Sequence, residues 1–69
     1  MKFTTYATDL QILTESEEEK NKLIQYCMNN NLAFTWNYSN VKGQDWYGKA
    51  FIEIPFRLDL LEEIKTKLG

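Results

Sequence analysis

Two short runs in the middle of the chain alternate between apolar and polar positions. In Leu32-Ala-Phe-Thr-Trp-Asn-Tyr38 every second residue is large and apolar, and the two-residue period of a strand puts Leu32, Phe34, Trp36 and Tyr38 on one face. In Gly48-Lys-Ala-Phe-Ile-Glu-Ile54 the uncharged set is Gly48, Ala50, Ile52 and Ile54, while Tyr47, Lys49, Phe51 and Glu53 form the other. Setting Phe34 opposite Ile52 and Trp36 opposite Ala50 matches large residues to small ones on one apolar face and sends Thr35, Asn37, Lys49 and Glu53 outward. A slip of one residue would bury Lys49 and Glu53 as unpaired ions and would expose large apolar side chains worth roughly 1.5–3 kcal/mol apiece. The parity that places Leu32, Phe34, Trp36 and Tyr38 in the core is therefore expected.

Upstream, Lys2 to about Leu13 is rich in Thr, Tyr and Ile, with Tyr6, Thr8, Leu10 and Ile12 on one alternating set. This predicts an N-terminal strand, with a break near Ala7 to Asp9. Thr14-Glu-Ser-Glu17 and Ser16-Glu-Glu-Glu19 both match the capping box, and their acidic run suits the positive end of a helix dipole. Leu23, Ile24, Cys27 and Met28 recur at helical spacing, Glu18 stands four residues before Lys22, and Asn29-Asn-Asn31 tolerates a left-handed cap. A helix over about Glu15 to Asn29 follows. The two alternating runs then form a hairpin whose connection is Ser39 to Asp45, with Lys42-Gly43 at its tip. Pro55 ends the last strand. Leu60, Leu61, Ile64 and Leu68, with acids early and lysines late, predict a closing helix.

The expected architecture is an α+β two-layer sandwich in the order β-α-β-β-α, one domain over residues 1–69, with two helices on one face of a three-stranded sheet. A parallel β-α-β crossover with the last strand inserted gives the spatial order 1-3-2, as in a ferredoxin-like unit lacking its final strand. Such a sheet leaves one face uncovered and the N-terminal strand as an open edge.

Composition narrows the chemistry. With 69 residues a chain buries only about 60% of its unfolded surface, so its stability rests on core packing or on association. The formal net charge is −2 and Arg57 is the only arginine, which lacks the basic footprint of a duplex binder. There is no histidine, which removes Ser-His, Cys-His and His-based metal or acid-base chemistry. A single cysteine without histidine cannot supply the N and S ligands of a structural zinc site within one chain. Cys27 lies on the apolar helical stripe and reads as a buried structural thiol. The acidic run reads as a solvated first helical turn, and Asp45 and Glu53 have no acid-base spacing. No glycine-rich phosphate loop, cofactor motif, secretory leader or bilayer-length apolar stretch is present, and the lone cysteine suits a reducing, cytoplasmic compartment. The bias toward Phe, Tyr, Ile, Asn and Lys is that of an AT-rich coding sequence, as in low-GC bacteria and phages.

With the first aromatic run assigned to the core, the residues left on the outer face are Tyr47, Lys49 and Phe51, bordered by Thr35 and Asn37. These five are the expected partner-binding residues. The expected function is a non-enzymatic cytoplasmic regulator, inhibitor or adaptor, of the kind phages and mobile elements encode, that binds a protein through the uncovered sheet face or the open edge. Homodimerisation through that surface is a variant. The alternative is a single-stranded nucleic-acid binder that stacks bases on Trp46, Tyr47 and Phe51 and contacts phosphate through Lys42 and Lys49.

Overall fold

The computed structural model describes residues 1–6, 8–55 and 57–68. The elements run β1 (Lys2–Tyr6), β2 (Asp9–Leu13), α1 (Glu17–Asn29), β3 (Thr35–Tyr38), β4 (Ala50–Pro55) and α2 (Leu58–Lys67). The sheet has four strands in the order β1-β2-β4-β3, and every neighbouring pair is antiparallel. The α+β class is as expected, and the three-stranded sheet is corrected to four. Tyr6 pairs with Asp9, so the expected break is a complete reversal of the chain; Ala7 itself lies outside the described residues. Twelve extended residues would reach about 40 Å, longer than the molecule's 34 Å longest dimension. Folding back instead sets Phe3 beside Ile12. The open edge at the N-terminus is consequently β1, while β2 is interior. The element order is β-β-α-β-β-α instead of the expected β-α-β-β-α, and the sheet order is β1-β2-β4-β3 instead of 1-3-2; β2 and β3 both run against β4, which lies between them.

Both helices pack on one face. Leu10 and Ile12 of β2, Ile52 and Ile54 of β4, Leu23 and Cys27 of α1, and Leu60 and Ile64 of α2 form one buried cluster. Serine capping starts α1: the Ser16 hydroxyl accepts the Glu19 N–H at 3.1 Å, and the Glu19 carboxylate accepts the Glu15 N–H at 3.0 Å. Thr14 has a different use from the one its capping-box spacing implies. Its hydroxyl donates to the Ala50 carbonyl at 2.8 Å and is buried, so the helix begins two residues later than expected. At the other end Asn31 takes φ 53°. Leu32 N–H then reaches the Cys27 carbonyl at 2.9 Å and Asn31 N–H the Met28 carbonyl at 3.3 Å, the paired bonds of a Schellman cap. Met28, expected on the buried stripe, is 60% exposed; the buried face is centred on Lys20, Leu23 and Cys27, and Met28 falls to its side.

The parity of the β3–β4 pairing is as expected, but its register is shifted by two residues. Trp36 faces Ile52 and Tyr38 faces Ala50. The cause is the connecting loop. Ser39 N–H donates to the Lys49 carbonyl and Gly48 N–H to the Ser39 carbonyl, both at 2.9 Å. Residues 44–49 are used in turns closed by Tyr47 N–H on the Gln44 carbonyl and Lys49 N–H on the Trp46 carbonyl. Gly48 takes φ 81° there, a conformation open to glycine, so the strand starts at Ala50 rather than Gly48.

The expected core role of the first aromatic run needs correction. Trp36 and Tyr38 lie on the helix side but are each 41% exposed, while Leu32 and Phe34 are half-buried and precede the strand. β3 is an edge, and what covers it is polar. The Lys20 ammonium sits 4.5 Å from the Trp36 ring centre and 5.3 Å from that of Tyr38. It also donates to the Tyr38 hydroxyl at 3.1 Å and pairs with Glu17 at 2.7 Å. Those two contacts, Glu17 foremost, raise the Lys20 pKa, and Lys20 in turn lowers that of Glu17.

Candidate functional site

Because side chains alternate across a strand, the face away from the helices carries the residues between the core positions. The pairings line these up in two cross-strand rows. One runs Lys2, Leu13, Phe51, Asn37; the next runs Thr4, Gln11, Glu53, Thr35. The loop between β3 and β4 adds a wall above the first row. Val41 and Trp46, 52% and 38% exposed, line a groove of about 330 Å³ whose floor includes Leu13 and the half-buried Phe51. The buried Ser39 lies at the loop end, and Lys2, Thr4 and Gln11 form the side toward β1.

The electrostatics of this groove are simple. Gln11 donates its amide to Glu53 at 3.3 Å. Lys2 is the only charged residue in the lining and makes no ion pair among the described residues.

The five expected binding residues do not all come together here. Phe51 is in the groove floor, with Asn37 beside it in the same row and Thr35 in the next. Asn37 uses its side-chain oxygen to accept the Tyr38 N–H at 2.8 Å. Tyr47 is 51% exposed in the loop and is not part of the lining. Lys49 is turned toward the start of α1, where its ammonium meets the Glu15 carboxylate at 2.6 Å and lowers the Glu15 pKa. Lys49 borders a second, smaller hollow of about 180 Å³ together with Thr14, Ser16 and Glu17.

Leu13, Val41 and Lys2 were expected in no binding set, and Trp46 only as a base-stacking residue of the nucleic-acid alternative. Leu13 was visible in principle, since it has the parity opposite to Leu10 and Ile12. Lys2 enters only through the β1–β2 hairpin, and Val41 and Trp46 only through the loop's path. Cys27, as expected, is buried, and burial raises its thiol pKa. No group of three or more His, Cys, Asp or Glu side chains that could hold a metal ion occurs among the described residues. No helix among them is long and apolar enough to cross a membrane.

Comparison of the chain with protein-family models, with curated proteins and with solved structures finds no match.

Proposed function

We propose that this chain is a small non-enzymatic interaction protein, a cytoplasmic regulator, inhibitor or adaptor that holds a protein partner on the open face of its sheet. The observation that carries this reading is the groove in which Leu13 and Phe51 form an apolar floor beneath Trp46 and Val41. Partially exposed aromatic and aliphatic side chains gathered in a concavity are the usual anchors of a protein contact. The absence of histidine and the burial of the one thiol support a binding role over nucleophilic or acid-base chemistry. Lys49, one of the two lysines that phosphate contact would need, is engaged by Glu15, so the protein-binding reading is preferred to the nucleic-acid one.

Selection of binders from a random-peptide display library tests it. The selection target is the native chain, and the selected peptides are re-measured on Phe51→Lys and, as a control on an exposed helix position, on Leu58→Lys. Circular dichroism verifies that both variants are folded. Peptides that lose binding to Phe51→Lys and keep it to Leu58→Lys support the reading. Peptides insensitive to Phe51→Lys, or a selection that yields no binders, overturn it.

A further inference from the structure

The geometry points to a specific occupant for this groove: a short peptide segment of the partner in which an apolar or aromatic side chain is followed by a carboxylate. This rests on the protein-binding reading above and adds the chemistry of the partner. A groove of about 330 Å³ takes one or two side chains of a segment lying across it.

Charge supplies the second half of the argument. The lining offers an apolar floor of Leu13 and Phe51, an indole wall from Trp46, and a single charge, the ammonium of Lys2. Lys2 stands in the same cross-strand row as Leu13 and Phe51, next to Leu13 on β1. The one carboxylate in these two cross-strand rows, Glu53, belongs to the row beside that of Lys2 and is engaged by Gln11. A ligand side chain seated over Leu13 and Phe51 thus lies one strand away from a lysine that makes no ion pair among the described residues. The complementary ligand puts its anion there. Because Lys2 is exposed, its contribution is to selectivity: a solvent-exposed ion pair changes affinity about two- to fivefold and is weakened by salt.

Nuclear magnetic resonance titration of the isotope-labelled chain with acetyl-Gly-Phe-Asp-Gly-amide, and with the Phe-Asn analogue, tests this. The expected result is that shifts centre on Leu13, Phe51 and the Trp46 indole N–H, with the Trp36 indole N–H unmoved as an internal control. The Asp peptide binds about two- to fivefold more tightly than the Asn peptide at low salt, and Lys2→Gln abolishes the difference while leaving the fold intact. Trp46→Ala weakens both peptides. Equal affinity for the two peptides, shifts centred elsewhere, or a preference that survives Lys2→Gln overturns the inference. Library-selected peptides that map to the groove and carry no acidic residue also overturn it, while leaving the protein-binding reading intact. Concentration-dependent dimers in sedimentation that dissociate with Phe51→Lys would overturn it in favour of a second copy.

Discussion

Substituting neighbouring residues of β4 separates the two faces of the sheet energetically. Ile52 is fully buried and stands between Ile12 and Trp36 in the strand pairing. Ile52→Ala removes three buried carbons, about 2.4 kcal/mol at ~0.8 kcal/mol each. The cavity left under two helices adds to this, for a total of about 3–4 kcal/mol. Phe51, one residue earlier, is half-buried on the groove floor. Phe51→Ala opens its site to solvent rather than creating a closed void, so it costs about half a full burial, roughly 1–1.5 kcal/mol. A chain of this length has about 3.5–10 kcal/mol of total stability, so Ile52→Ala brings it near the threshold and Phe51→Ala does not. Urea unfolding followed by circular dichroism reads the difference. With a slope near the lower bound of ~1 kcal/mol per molar for small proteins, the midpoint falls by about 3 M for Ile52→Ala and about 1 M for Phe51→Ala. Equal losses, or a larger loss for Phe51→Ala, would refute the assignment of faces and the groove with it.

Cys27, fully buried with a raised pKa, reacts with a thiol reagent in the native chain only as fast as the chain opens; rapid, stoichiometric labelling without denaturant would contradict its placement. Two left-handed positions respond oppositely to substitution. Asn31→Gly at φ 53° is neutral or slightly stabilising, whereas Gly48→Ala at φ 81°, where a new Cβ meets nothing within 4 Å, costs about 1 kcal/mol from backbone strain alone, both measured as shifts in urea midpoint. Tyr26 is pushed up to about 12, first by burial and then by the Glu63 carboxylate. Its folded pKa lies above the ordinary 10.0, so its contribution to stability is complete below about pH 10 and is lost as pH rises toward 12. Glu15, Glu17, Asp59 and Glu63 are lowered, chiefly by Lys49, Lys20, Arg57 and Tyr26 respectively. Their contributions are present above their ordinary values and are lost as pH falls through the depressed ones. Unfolding midpoints measured across pH check both limbs, and tyrosinate absorbance should show a late-ionising component that disappears in Tyr26→Phe.

Periodicity made the class of fold, the two helices and the faces of β4 legible, because burial of Ile52 and Ile54 and the turning of Glu53 to the opposite, half-buried face are enforced by desolvation energies of several kcal/mol. Positions governed by local backbone conformation were less legible. The shift between Trp36 facing Ala50 and Trp36 facing Ile52 preserves parity, so hydrophobic patterning barely discriminates between them; the turns through Gln44, Trp46 and Gly48 decide. The β1–β2 reversal is similar. Tyr6, Thr8, Leu10 and Ile12 alternate as one strand would, and nothing in that pattern reports that the chain folds back between Tyr6 and Asp9. Edge position was also outside the pattern's reach: Trp36 and Tyr38 have core-like spacing but lie under Lys20 at the sheet border.

The features that alternation could not reveal are the ones that build the groove. A three-stranded sheet with a short hairpin turn would present Leu13 and Phe51 on an open face without walls. The extra reversal brings Lys2 and Thr4 alongside them, and the long connection carries Val41 and Trp46 to the other side. Core positions are constrained by burial and so announce themselves through spacing; loop residues escape that constraint, which leaves them free to carry recognition. Tyr47 and Trp46 illustrate the consequence. They are adjacent aromatic residues of opposite strand parity, and alternation favours Tyr47 for the outer face, yet in a turn parity has no meaning and it is Trp46 that lines the groove. Selectivity in this protein is therefore expected to respond to substitutions at Trp46 and Lys2, at the margins of the sheet, while its stability responds to Ile52 at the centre.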